Sequence, residues 1–391
     1  MRYGKYKIVS QFVLIAFLLA VFSNSVRAAE EEAFDAGPFI LEHVTDSYGW
    51  HICGSGDKSV TVPLPVLLID NGHFVAFWSN KLHHGEAAYQ GYAMGWGDNK
   101  GSIVKLSEDY TGHLEEGVEY PVDHVCKIDI SITKNVCALF ISLILIACIF
   151  LTVAKRYKKQ PVGVPHGIQA LMEPLVVYIQ DEVITPSLGS KSDKYAPFLL
   201  TLFFFILFNN LMGIIPIFPG GANVTGNIAV TGILALITFF VTNLSGKKEY
   251  WKDIFNTPGV PWWLKVPIPL MPFVELVGIF TKPFVLMVRL FANITAGHII
   301  ILGFISLIFI FGQLAPAIGY GVSVVSLIFY VFMGCLELLV AFIQAFVFTL
   351  LSAMYIGMAC GAGEEEEHQD VTKKLEAPAV RSIICPARVL C

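Results

Sequence analysis

The 391-residue chain is 55% hydrophobic, its mean hydropathy is +0.65, and only 15% of it is charged. Charges confined to a few blocks between long apolar segments exclude a soluble globular domain and identify an integral membrane protein. The formal net charge of -5 names no partner, because the location of the charges matters more than their sum, and nothing in it points to nucleic acid.

Residues 1–29 start with Arg2, Lys5 and Lys7, pass through a short apolar core and end on the small residues Ala28 and Ala29. This is the pattern of a secretory signal cleaved near Ala28 or Ala29; the alternative, an uncleaved anchor, offers about 11 apolar residues where a span needs about 20. Cleavage puts residues 30–132 outside the cytoplasm as a small domain with β-like runs at Ser59-Val60-Thr61-Val62 and Phe74-Val75-Ala76-Phe77-Trp78. Cys53 and Cys126 are its thiols. The compartment allows a disulfide between them, and two buried free thiols are the alternative, since sequence does not supply the geometry.

Residues 136–153 form the first span of the mature chain, and Lys155, Arg156, Lys158 and Lys159 mark its far end as cytoplasmic. Residues 171–183, interrupted by Glu173, Gln180, Asp181 and Glu182, read as an amphipathic helix on the cytoplasmic surface. Residues 197–217 are the second span and 228–242 the third, with Lys247, Lys248 and Lys252 at its cytoplasmic end. Two further apolar runs, 273–311 and 322–358, lead to the acidic residues 364–367. The expected fold is an all-α polytopic membrane protein of about five transmembrane helices behind a small β-containing extracytoplasmic domain. Its segments are a signal peptide (1–29), the extracytoplasmic domain (30–132), the membrane domain (133–362) and a cytoplasmic tail (363–391).

The last two runs are overlong. As single helices they measure about 59 and 56 Å, near twice the hydrocarbon thickness, which calls for a steeply tilted hairpin. The alternative is that Pro283 and Gly334 break them.

Arg289 stands inside the first of these runs, where insertion scales put its cost at roughly 2.5–3.5 kcal/mol. Helical spacing sets Glu275, Lys282, Arg289 and Asn293 on one stripe and His298 on the opposite face, while Glu337 and Gln344 share a face of the last helix. Asn209 and Asn210 add polar groups to the second span. Polar side chains inside a bilayer face a partner, a bundle interior or a wet cavity, so an ion pathway is the leading reading. Beside it stand structural roles: an ion pair of Arg289 with Glu275 or Glu337, a packing histidine at His298, and interhelical hydrogen bonds from Asn293 and Gln344. A secondary transporter binding an anionic substrate through the arginine is the functional alternative, but the chain has no convincing internal repeat. An intramembrane hydrolase is disfavoured, as the spans lack a His-Glu-x-x-His or Gly-x-Ser-x-Gly pattern.

The segment Glu275-Leu276-Val277-Gly278-Ile279-Phe280-Thr281-Lys282-Pro283, followed by Val288-Arg289-Leu290-Phe291-Ala292-Asn293-Ile294-Thr295-Ala296-Gly297-His298, resembles the signature helix of subunit a of F-type rotary ATP synthases. Ile343-Gln344-Ala345-Phe346-Val347-Phe348 resembles the family's last helix, and Asn210-Leu211-Met212-Gly213-Ile214-Ile215-Pro216 its earlier Asn-Leu-Met turn. The resemblance covers about residues 136–362.

It implies that Arg289 faces a ring of c subunits, each with a membrane-embedded carboxylate, and that Asn293, Gln344 and Glu275 line or order this interface. It implies that His298 and Glu337 are the protonatable groups of a half-channel open to the outside, in the reverse order of familiar bacterial relatives. Gly213 stands where some relatives carry an acid, so the outer entrance is expected to use Asn209, Asn210 or Asn227. The implied role is non-catalytic: a stator subunit of the bacterial plasma (inner) membrane that couples proton translocation to ATP synthesis. Its implied partners are the c-subunit ring, b-type peripheral stalk subunits, the F1 sector through the assembled complex, and the lipid bilayer. No cofactor or metal is expected.

Overall fold

A backbone immersed in lipid must satisfy its own hydrogen bonds, so the apolar runs of this chain form helices, while the Gly- and Pro-rich N-terminal segment is free to form strands. The computed structural model describes residues 36–53, 60–96, 99, 101–107, 109–114, 120–159, 164–215, 220–255, 270–314 and 316–361. The expected signal peptide (1–29) and the tail (363–391) lie outside them.

The N-terminal domain opens with helix α1 (Ala36–Val44) and continues in ten short strands: β1 (Gly49–Cys53), β2 (Val60–Pro63), β3 (Pro65–Asp70), β4 (His73–Trp78), β5 (Ala87–Ala88), β6 (Tyr92–Met94), β7 (Ile103–Leu106), β8 (Gly112–His113), β9 (Val122–Val125) and β10 (Ile128–Asp129). They pair antiparallel into two two-stranded sheets, β1-β2 and β5-β8, and two three-stranded sheets, β10-β3-β4 and β6-β7-β9. Asn71 and Gly72 take positive φ values of 47° and 84° between β3 and β4, the conformation a two-residue hairpin turn needs and the reason an Asn-Gly pair stands there. Val66 and Leu68 point inward, fully buried, and meet Phe77, Tyr48, Leu82 and Ile103 in the domain core. Cys126 is buried beside this core with a free thiol, which burial pushes up to about 11. The side chain of Cys53, its expected partner, lies outside the described residues.

A polar clasp joins the two larger sheets. His124 on β9 bonds Asp70 at the end of β3 through Nε2 (2.6 Å) and the neighbouring Asp123 through Nδ1 (2.9 Å), and the Tyr92 hydroxyl of β6 donates to Asp70 (2.9 Å). Lys105 of β7 lies over the Tyr92 ring at 4.5 Å. The hydrogen bonds to Asp70 and then Asp123 hold His124 above its ordinary value of 6.5. Burial of Asp70 opposes its ionisation, yet the bonds from His124 and Tyr92 outweigh it and hold Asp70 below its ordinary 3.8.

The membrane part comprises α2 (Lys134–Lys159), α3 (Ile168–Ile179), α4 (Ser192–Ile214), α5 (Ile228–Leu244), the short α6 (Lys248–Phe255), α7 (Leu270–Leu314) and α8 (Pro316–Cys360). A π turn (Gln180–Ile184) and one α turn (Thr185–Leu188) lead from α3 toward α4. Four helical stretches, Lys134–Lys159, Ile168–Ile214, Pro272–Gln313 and Ile318–Cys360, are long and apolar enough to cross a membrane, and α5 is a shorter apolar helix of 17 residues. The chain is thus a mostly helical, multi-pass membrane protein. Pro283 and Gly334 leave α7 and α8 unbroken, each 45 residues, or about 67 Å, long. At their turn the backbones nearly touch: a Cβ on Gly319 would stand 2.7 Å from the Gly312 Cα.

The segment expected to lie on the membrane surface differs from that reading. Met172, Ile179, Val183, Ile184 and Leu188 are buried and join the main helical core with Phe203, Leu286, Leu290, Phe348 and Ile356. The apolar face of this segment finds protein as its partner, because α8 is long enough to reach it. The N-terminal domain sits on the other end of the helices, where Trp50 packs with Ala138, Ala222 and Val224, and the Phe39 ring lies 6.5 Å from that of Phe309 on α7.

The clasp sets a pH dependence. The raised His124 stabilises the fold fully below about 6.5 and loses that contribution as pH rises through its higher folded value, while Asp70 contributes above about 3.8 and loses it in more acid solution. Amide exchange in β9 and at the end of β3, corrected for intrinsic rates, is expected to be slower at pH 6 than at pH 9 in the whole protein, and His124→Gln is expected to remove the difference. Equal protection at both pH values in the unmodified protein contradicts it.

Candidate functional site

Arg289 is half-buried on α7, at the border between a buried face formed by Leu286, Leu290 and Ile294 and an exposed one with Val285, Val288 and Asn293. Among the described residues no hydrogen bond or ion pair holds its guanidinium. Both ion pairs considered for it are missing for geometric reasons. Glu275 precedes it by 14 residues on one continuous helix, about 21 Å along the axis. Glu337 is already engaged, because its Oε1 meets Nδ1 of His298 across the α7/α8 interface.

The His298–Glu337 pair is the best-defined polar contact between the two long helices. Its side chains are 13% and 4% exposed. Gly297 makes room for it, since a Cβ there would come within 3.1 Å of Glu337 Oε1; a Cβ on Gly213 would make only ordinary contacts, 3.6 Å from His298 Nε2 and 3.5 Å from the Ala222 carbonyl. One imidazole nitrogen therefore faces Glu337 and the other faces α4 and the turn that follows it. A ring in that position can take a proton on Nε2 and give one up from Nδ1, which is how an imidazole relays charge without moving.

Around this pair the α4–α5 turn is polar and buried. Asn210 donates from Nδ2 to the Ala341 carbonyl of α8 (3.2 Å) and accepts from the Thr225 hydroxyl (2.6 Å). Asn209 donates to the Phe205 carbonyl (2.8 Å), and Asn223 accepts from the Gly226 amide (2.9 Å). Those backbone partners fix both amide orientations and, among the described residues, leave a buried acceptor on Asn209 and a buried donor on Asn223 without a protein partner. Asn223 carries no sequence signal of its own, because a turn asparagine ordinarily serves the backbone. Asn227 does serve it, capping α5 by accepting from the Ala229 amide at 2.9 Å. Gln344 is buried on α8, two turns from Glu337, whereas Asn293 is exposed.

A second polar region lies at the opposite end of the helices. Lys282 stands over the Tyr355 ring at 5.4 Å, in a cleft that Thr238, Thr242, Asn243 and Tyr250 also line. The Tyr250 hydroxyl donates to Asn243 (3.4 Å), and among the described residues the buried Thr242 hydroxyl has no protein partner. Burial, and then the nearby Glu275 carboxylate, pushes the Tyr250 phenol up. Glu275 thus acts on Tyr250 at this end of α7, away from Arg289. Thr238 and Thr242 gave a weak signal in the sequence, four apart in an otherwise apolar helix. Among the described residues no group of three or more His, Cys, Asp or Glu side chains could hold a metal ion.

The family described as ATP synthase A chain matches residues 136–357, and a domain family of unknown function matches residues 39–128. ATP synthase subunit a of Chloroherpeton thalassium is 40% identical over 271 residues, 66% of this chain and 76% of the relative. ATP synthase subunit a 2 of Prosthecochloris aestuarii is 40% identical over 308 residues, 76% of this chain and 90% of the relative. ATP synthase subunit a of Myxococcus xanthus is 40% identical over 260 residues, 65% and 80% of the two chains.

Replacing Asn210 by leucine would orphan the Ala341 carbonyl and the Thr225 hydroxyl. Asn210→Leu is expected to cost about 1–3 kcal/mol of stability, read as a lower unfolding midpoint of the detergent-solubilised protein; an unchanged midpoint contradicts it.

Proposed function

The chain belongs to the ATP synthase subunit a family, and from that premise we propose how its residues move protons. As the stator, proton-channel subunit of the membrane sector, it is a non-catalytic part of the ATP synthase complex. In our reading the exposed side of α7 and α8 runs against a ring of c subunits, and b-type stalk subunits hold the chain stationary against the F1 sector. Residues 30–132 lie outside the cytoplasm and the C-terminus inside, as the lysine blocks at 155–159 and 247–252 support.

Protons enter at the α4–α5 turn, past Asn209, Asn210 and Asn223, reach Nε2 of His298 and pass through the imidazole to Glu337. From there they load a carboxylate of the ring, which turns through lipid almost a full revolution and unloads into the cleft near Glu275, Tyr250 and Lys282. Gln344 and Asn293 order the passage between the two half-channels. Arg289 closes the shortcut: a guanidinium stays charged in practice and favours the ionised form of a carboxylate beside it, so a ring carboxylate must release its proton before passing.

One observation supports this assignment above the others. Among the described residues Glu337 is taken by His298 and Glu275 is held off by distance, which supports a counter-charge for Arg289 from another chain. Membership in this family sets aside the secondary transporter as a reading.

In inverted membrane vesicles carrying the assembled complex, Arg289→Ala is expected to abolish ATP-driven proton pumping; pumping at the unmodified level contradicts the assignment. The glycines give a finer test. Gly297→Ala forces a methyl against Glu337 Oε1 and is expected to lower pumping severalfold, while Gly213→Ala meets only ordinary contacts and is expected to stay near the unmodified level. Equal effects of the two contradict the His298–Glu337 relay.

A further inference from the structure

One face of the N-terminal domain is unlike the surface of a water-soluble sheet. In β10-β3-β4 the inward residues Val66, Leu68 and Phe77 build the core, so the alternate residues of all three strands share the outward face. An antiparallel sheet with one side in water ordinarily alternates apolar inward and polar outward. Here both sides are apolar. Phe74 is 66% exposed, Trp78 56%, Ile128 52% and Ile130 55%, and no charged side chain interrupts them. Contiguous exposed apolar surface of this kind marks contact with protein or membrane.

The chain's own connection to the membrane indicates which. The Ile130 amide donates to the Leu67 carbonyl (2.9 Å) and the Ile132 amide to the Pro65 carbonyl (3.1 Å), so the last strand continues along β3 and enters α2 at Lys134. Trp78 pairs with Pro65 and therefore occupies the rung nearest the span, where indole side chains favour the membrane interface. The Phe74 rung is four residues farther, about 13 Å. The interfacial zone on one side of a bilayer is only about 5–7 Å thick. A sheet standing upright would leave Phe74 and Ile128 in water, although they are as apolar and as exposed as the rung below.

We propose that the outward face of β10-β3-β4 lies across the lipid surface of the leaflet in which α2 begins, with Phe74, Trp78, Ile128 and Ile130 at the headgroup–acyl boundary. The absence of charge on that face makes the contact hydrophobic and independent of anionic headgroups. The domain of unknown function then serves as a lipid-seated foot for the outer ends of the helices it touches through Trp50 and Phe39.

The test uses the complete complex in phosphatidylcholine vesicles whose acyl chains are brominated near the carbonyl end. The difference in tryptophan emission between the unmodified complex and Trp78→Phe isolates Trp78. Brominated lipid is expected to quench that difference at least about twofold, and aqueous iodide to leave it unchanged. A second variant, Phe74→Trp in the Trp78→Phe background, is expected to behave the same way. Quenching by iodide at either position puts the face in water and overturns the proposal. Protection from both quenchers assigns the face to a protein partner and overturns it as well.

Discussion

An arginine in a spanning helix carries a charge that lipid cannot solvate, and among the described residues no acid of the same chain neutralises it. The cause is an allocation between two helices. Glu337 of α8 is turned onto His298 of α7, and Glu275 is held about 21 Å away by the rigidity of one unbroken helix. Arg289 is half-buried at the edge of a lipid-exposed face, where a charge without a partner is costly and a counter-charge from outside is favoured. On the proposed function that charge is delivered by each ring carboxylate in turn, so the charge that stabilises Arg289 would be the one whose proton is being moved.

The length of α7 and α8 turns this local constraint into a vectorial one. Helices of about 67 Å exceed the hydrocarbon thickness and carry polar groups to both ends while keeping one continuous apolar surface between them. His298 and Glu337 sit toward the α4–α5 turn, Glu275, Tyr250 and Lys282 at the far end, and Arg289 between. On the proposed function the two polar regions need not meet, because the groups that bridge them belong to the ring. A bundle of ordinary spans would have to bend or break to separate them as far.

Much of this was legible in the residues. The spans, the overlong hairpin and the polar stripe follow from hydropathy and helical period, and the stripe's match to a known signature identified the family. Pairing was less legible. Periodicity puts Glu275 and Arg289 on one side of a helix, but only an unbroken helix excludes their contact, and Pro283 left that open. The room for Glu337 beside His298 depends on Gly297, whose role is the absence of a side chain and so leaves no motif. Residues 171–183 looked like a surface helix because their apolar face has a definite width; whether lipid or protein covers it is decided by α8, which lies more than a hundred residues away in the chain. In the N-terminal domain, the alternation of Phe74, Ala76 and Trp78 announced a strand, while the register that joins them into an apolar face came from β3 and β10.

The most direct test of the account is a structure of the assembled complex in lipid, at a resolution that shows side chains around α7. The account predicts that the carboxylate nearest Arg289 belongs to the ring, with His298 still bonded to Glu337. Arg289 paired within about 4 Å to Glu275 or Glu337 of its own chain would contradict it.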